Sequence, residues 1–161
     1  MRTLLLYASK HGCVEKCAQL MVERIPHQVK TINLAKEKVL DLAEYDTVII
    51  GGSIHVGKIQ KEVSQFCVEN EKELHKNRVG LYLCCANDEQ VEAQMKEAYP
   101  SSLLQHAVAV EHLGYAYYFD RMNFIEKTII RKIAKTSTTT EKIALANLER
   151  FITKLYAKEL S

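Results

Sequence analysis

Three short stretches of this chain are almost unbroken in apolar residues: Thr3 to Ala8, Thr47-Val48-Ile49-Ile50, and Val79 to Ala86. A strand with one wet face alternates apolar and polar residues, so runs of this kind belong to strands covered on both faces. Helix-spaced patterns separate them. Val14, Cys17, Ala18, Met21 and Ile25 recur on one helical face until Pro26 stops them. Val63, Phe66, Cys67 and Leu74 form a second such face, Glu89 to Ala98 a polar helix ended by Pro100, and Ala144, Leu148, Phe151, Ile152 and Leu155 a last one. Val29 to Leu34 reads as a weaker, alternating edge strand and Ala107 to Leu113 as a fifth strand. Strand and helix alternating in this way predict an α/β fold with three layers, a doubly wound five-stranded parallel sheet between helices. At 161 residues the chain is expected to form a single domain, 1–161.

Composition narrows the functional classes. No stretch approaches the ~18 apolar residues that cross a bilayer, and the short run Leu4 to Ala8 lacks the charged leader and cleavage site of a signal peptide. The five cysteines are odd in number, with Cys13 and Cys17 close together and Cys84 and Cys85 adjacent, which matches neither a disulfide framework nor a paired CxxC zinc site. The expectation is reduced thiols, no metal, and a cytoplasmic protein. The net charge is only +2, but residues 1–120 hold 13 basic and 16 acidic side chains whereas residues 121–161 hold 9 and 4. The basic residues gather in one late segment, and no nucleic-acid partner is expected.

In a sheet of this type ligands sit beyond the carboxyl ends of the strands, which directs attention to the loops after the first, third and fourth strands. The first, Ser9-Lys10-His11-Gly12-Cys13-Val14, joins a buried strand to a helix. A helix start offers unpaired N–H groups and partial positive charge, Gly12 lets the chain curl around an anion, Ser9 adds a hydroxyl, and Lys10 and His11 add positive charge. The loop carries neither G-x-x-x-x-G-K-[ST] nor G-x-G-x-x-G, so a phosphate monoester suits it better than a triphosphate or dinucleotide. An ordinary strand-to-helix turn capped by Ser and Gly explains the same residues, and both readings stand.

Leu4-Leu5-Leu6-Tyr7-Ala8-Ser9-Lys10-His11-Gly12 resembles the first strand and phosphate loop of flavodoxins. Gly51-Gly52-Ser53-Ile54-His55-Val56-Gly57 resembles their second flavin loop, more narrowly that of the menaquinone-dependent protoporphyrinogen IX dehydrogenase group. Gly114 to Lys135, with Tyr117-Tyr118-Phe119-Asp120-Arg121 leading into Ile129-Ile130-Arg131-Lys132-Ile133, is similar to that group's late segment. The resemblance implies strand order 2-1-3-4-5 and one bound FMN. It places Ser9, Lys10, His11, Gly12, Cys13 and Val14 at the phosphate. Ser53, Ile54, His55, Val56 and Gly57 fall along one edge of the ring, and Cys84, Cys85, Ala86 and Asn87 along the other. Gly51, Gly52 and Gly57 are then expected to allow a positive-φ peptide flip near the ring. The phosphate loop departs from the T-x-T-G-x-T pattern: only Ser9 keeps a hydroxyl, so backbone amides carry more of the contact.

Three functions follow from that likeness. The first is an FMN-binding oxidoreductase that passes electrons to a quinone or oxidises protoporphyrinogen. The others are a non-catalytic electron carrier serving a redox partner and a flavin-free interaction domain. Tyr115, Tyr117 and Tyr118 form the densest aromatic cluster and either line a substrate cleft, with Tyr115 and Tyr117 as the candidates, or fill a crossover between sheet and helix; both readings stand. His55 either donates a hydrogen bond near the ring or is merely solvated. Cys13, at a helix start, either has a lowered thiol pKa or is a small residue packed beside the phosphate, and packing is the expectation. Cys84 and Cys85, pointing to opposite faces, are expected to serve as packing residues. Arg121 to Lys135 carries five basic groups and one acid, with Met122, Ile125, Ile129 and Ile133 as an apolar stripe. Such a helix either rests on the inner face of an anionic membrane or packs its stripe on the sheet, and packing is the expectation.

Overall fold

The computed structural model describes residues 1–9, 12–39, 41–133 and 139–157, residue 133 through its backbone. The apolar runs become the centre of a parallel sheet: β1 (Arg2–Tyr7), β3 (Thr47–His55) and β5 (Arg78–Cys84) lie side by side. β2 (Gln28–Asn33) flanks β1, and β6 (Ala109–His112) flanks β5. The parallel strands run in the order β2-β1-β3-β5-β6, which is the 2-1-3-4-5 order expected, with helices on both faces.

Because successive strand residues point to opposite faces, each apolar run supplies two cores at once. Leu5, Tyr7, Ile49, Tyr82 and Cys84 pack against α1 (Cys13–Arg24) and α7 (Leu145–Leu155). Leu4, Leu6, Val48, Ile50, Leu81, Leu83 and Cys85 face the other layer. That layer is built from α2 (Lys61–Glu69), α3 (Glu71–Leu74), α4 (Val91–Ala98) and α5 (Ser101–His106). Cys84 and Cys85 thus face opposite layers, and all five cysteines are free. Among the described residues, no helix is long and apolar enough to cross a membrane.

The second loop is shorter than the sequence indicates. β3 continues through Gly51 and Gly52 to His55, and β4 (Lys58–Ile59) returns antiparallel beside it. Within this loop only Val56 (φ 51°) and Gly57 (φ 77°) adopt positive φ, as the two central residues of a tight hairpin require. Gly51 and Gly52 serve space instead. A Cβ on Gly51 would lie 1.9 Å from the Tyr82 ring, and one on Gly52 would lie 2.6 Å from the Ile59 side chain. The missing Cβ lets the Tyr82 ring cross above Gly51, its strand neighbour, and donate its hydroxyl to the Val14 carbonyl at 3.1 Å. The Tyr82 carbonyl in turn accepts from Tyr99 Oη at 2.6 Å.

The late segment departs further from expectation. β7 (Gly114–Tyr117) and β8 (Thr140–Ile143) form a separate antiparallel ribbon at the end of the main sheet. Gly114 (φ 93°) makes the turn into it, where a Cβ would meet the Lys142 carbonyl oxygen at 2.0 Å. α6 (Phe124–Ile133) emerges from this ribbon. Its apolar stripe does not pack on the sheet: Met122, just before it, is buried, but Ile125 is 69% and Ile129 39% exposed, with Phe124 at 79%. The reason is that other helices already cover both sheet faces, and α6 starts beyond the strand ends. The side chain of Ile133, and residues 134 and Lys135, lie outside the described residues.

Substituting Gly51→Ala is expected to destabilise the fold by about 1–3 kcal/mol in urea unfolding, since the methyl overpacks the Tyr82 ring. In a Tyr82→Leu background, which removes that ring, the same substitution should cost clearly less. Equal costs in both backgrounds would show that the ring is not what excludes the side chain.

Candidate functional site

The carboxyl ends of β1, β3 and β5 open into a cavity of about 430 Å³, within the ~300–1,000 Å³ range of ligand sites. Its wall at β1 is the start of α1. Gly12 occupies the N-cap with φ 91°, and no side chain caps the helix. The Gly12 N–H donates to Ser9 Oγ at 3.0 Å, which draws the loop closed, while the Gly12 carbonyl accepts from Lys16 N at 2.8 Å. The first-turn amides of a twelve-residue helix are therefore left for an anion, with the helix dipole behind them.

A cation stands beside this turn. A Cβ on Gly12 would lie 2.2 Å from Arg121 Nη1 and 3.4 Å from the Tyr118 ring. The Arg121 guanidinium rests 4.6 Å from the centre of that ring, within cation–π reach. Tyr118 is braced in turn by donating its hydroxyl to Glu141 Oε2 at 2.6 Å. Burial, reinforced by that carboxylate, pushes the phenol's ionisation well up, so Tyr118 stays a neutral donor.

Opposite, the β3–β4 hairpin presents Ser53, Ile54, His55 and Val56. Gln60 fastens its base: Ser53 N donates to Gln60 Oε1 at 2.9 Å, and Gln60 Nε2 donates to Ser53 Oγ at 2.7 Å. Ser53 Oγ also lies 3.0 Å from His55 Nε2. Cys84, Cys85 and Ala86 close the β5 side, and Tyr115 and Tyr117 enter from β7 with their rings 5.6 Å apart. Glu126, Ile129 and Ile130 of α6 form the remaining rim.

A model of the flavodoxin domain family matches residues 4–143. The chain belongs to the flavodoxin domain family. No curated protein matches its sequence. Among solved structures, a short-chain flavodoxin associated with a non-canonical PDU bacterial microcompartment superposes with a TM-score of 0.62 at 12% identity, covering 100% of this chain and 99% of that one. A flavodoxin from the domain Archaea gives 0.59 at 12% identity, and oxidised flavodoxin 1 from Bacillus cereus 0.54 at 14%, each covering 100% of both chains. At these identities the likeness is one of fold.

Within this flavodoxin domain, most residues singled out from the sequence meet at one cavity: Ser9, Gly12, Cys13, Ser53, Ile54, His55, Val56, Cys84, Cys85, Ala86, Tyr115 and Tyr117. Three do not. Val14 is buried in the core between α1 and the sheet. Gly57 lines a separate cavity of about 580 Å³ behind the hairpin, between α2 and α4. Asn87 accepts from Glu89 N and starts a short 3₁₀ turn. Lys10 and His11 lie outside the described residues. Arg121 and Gln60 went unnoticed as site residues. Nothing local marks Gln60, and only the folding back of β7 and β8 brings Arg121 to Gly12.

Gly12→Ala is expected to cost about 1–3 kcal/mol, combining backbone strain at positive φ with the collision against Arg121. Truncating the arginine separates the two. In an Arg121→Ala background the penalty should shrink but not vanish, as read from a double-mutant cycle in urea.

Proposed function

We propose that this flavodoxin domain binds FMN in the cavity at the carboxyl ends of β1, β3 and β5 and works as an electron-transferring flavoprotein. The observation that carries this reading is the uncapped start of α1, curled by Gly12 and flanked by the Arg121 guanidinium, facing a cavity large enough for a planar ring. The phosphate would be held by the first-turn amides of α1, by Ser9 and by Arg121, a donor set suited to a dianion. Arg121 makes up for hydroxyls that Cys13 and Val14 do not supply. Ser53 to Val56 and Cys84 to Ala86 would border the ring, with Gln60 fixing the hairpin and Tyr115 and Tyr117 forming an aromatic wall. Bound flavin supplies the one- and two-electron chemistry, and the protein supplies position and electrostatics.

The narrower reading is an oxidoreductase like the menaquinone-dependent protoporphyrinogen IX dehydrogenase group, exchanging electrons with a membrane quinone. The exposed face of α6 supports it. Phe124, Ile125 and Ile129 are presented to solvent, beside exposed Arg131 and Lys132. An apolar face edged by cations is what an anionic leaflet attracts, and the same helix rims the cavity. This arrangement would set the cavity mouth at the inner membrane surface of the cytoplasm, in keeping with the free thiols. Simple electron carriage between soluble partners is the second reading, favoured by flavodoxins that match this chain over its full length.

The purified protein should take up FMN with a shift of the flavin absorbance bands. Arg121→Ala should weaken FMN by about 10- to 100-fold, the size of a charge-assisted hydrogen bond, and leave riboflavin, which lacks the phosphate, unchanged. Failure to bind either flavin would sink the proposal; equal losses for both would remove Arg121 from the phosphate. The membrane reading has its own test. The protein should sediment with anionic vesicles at low salt, and Phe124→Glu with Ile125→Glu should abolish this without altering flavin uptake.

A further inference from the structure

Three of the five cysteines meet in one place. The sulfurs of Cys13 and Cys17 on α1 and Cys84 at the end of β5 all lie within 4.8 Å of one another, and Cys17 Sγ to Cys84 Sγ is 3.9 Å. All three residues are buried, at 6%, 0% and 2% exposure. The cause is local. Cys13 and Cys17 stand one turn apart on the helix, so their side chains share a face. That face is pressed onto the sheet where Cys84 points into the same layer.

We infer that Cys13, Cys17 and Cys84 form a three-sulfur site for a thiophilic, monovalent metal ion, Cu(I). An ion at the centre of a sulfur triangle with metal–sulfur bonds of about 2.3 Å requires sulfurs about 4.0 Å apart. The Cys17–Cys84 separation already meets that spacing, and the third sulfur needs only a small rotation. Soft thiolates select Cu(I), zinc or iron–sulfur clusters. Zinc in a structural site takes four ligands, and among the described residues no fourth ligating group joins these three sulfurs. His112 and Glu141, the titratable groups near Cys13, are engaged elsewhere: His112 Nε2 lies 2.8 Å from the Cys85 carbonyl oxygen, and Glu141 accepts from Tyr118.

A thiol gives up its proton when it binds a metal, so loading the site would release the thiol protons to solvent. Access is available, because Cys13 and Cys84 line the cavity while Cys17 lies behind them. The site needs no flavin, and the inference stands apart from the proposed function.

The test is anaerobic titration of the whole reduced chain, without flavin, against Cu(I) held by a chromogenic chelator. One Cu(I) per chain should be withdrawn from the chelator, and X-ray absorption of the wild-type complex should show three sulfur neighbours. Cys67→Ser and Cys85→Ser should keep this binding; Cys17→Ser and Cys84→Ser, confirmed folded by circular dichroism, should lose it. The idea is overturned if the wild type cannot compete with the chelator. A shell of two sulfurs, or full retention of binding in folded Cys84→Ser, would overturn it as well. The absorption measurement decides the matter even where a serine variant does not fold.

Discussion

Tyr82 crosses over Gly51 to reach the Val14 carbonyl, and this single contact ties the first turn of α1 to the middle of the sheet. A helix that begins at a cavity must keep its first amides free, so it cannot be held there by an ordinary side-chain cap. Here the hold comes from behind. Tyr82 is buried, packs edge-on against Phe151 of α7 at 6.1 Å, and has its own carbonyl bonded by Tyr99. Burial raises the phenol's pKa well above its usual value, which keeps it a donor. The ring is possible only because its strand neighbour is glycine. A fixed amide cluster at the sheet edge thus depends on a residue that lines no part of the cavity.

Much of the fold was legible because burial on both faces leaves a signature that no helix or surface strand imitates. Leu4 to Tyr7, Val48 to Ile50 and Leu81 to Leu83 read as central strands and are central strands. The outer features were harder for physical reasons. β7 and β8 are four-residue strands that gain their partner from across a long stretch of chain, so neither carries a local pattern strong enough to announce pairing. α6 shows the opposite failure. Its periodicity correctly marks a helix, yet periodicity says only that one face is apolar, not what covers it.

The cavity followed the same division. Ser9, Gly12, Ser53 to Val56 and Cys84 to Ala86 could be located because they sit at strand ends, where chain order alone fixes position. Gly51 and Gly52 were visible as glycines, but their role was not. A glycine in a turn and a glycine beneath an aromatic ring look alike in sequence, and only the ring's position separates them. Arg121 was beyond reach for the reason that hid the ribbon: its place beside Gly12 is set by the return of β8, whose Glu141 braces Tyr118 beneath the guanidinium.

These late elements also bear on how the proposed phosphate site would manage with so few hydroxyls. Two sources of positive potential converge at Gly12, the helix dipole and a guanidinium, and their supports are independent: Tyr82 holds the first from the sheet, Tyr118 and Glu141 hold the second from the ribbon. Coulomb attraction from a fixed cation depends less on exact alignment than a neutral hydroxyl's hydrogen bond does, so one arginine can replace several hydroxyl donors. With that demand lifted, the positions following Gly12 would be open to side chains with no affinity for phosphate. Cys13 and Val14 occupy them, Val14 turned into the core and Cys13 toward Cys17 and Cys84. The sulfur cluster beneath the cavity thus occupies positions that the proposed phosphate contact would leave free, because its charge would come from the ribbon rather than from the loop.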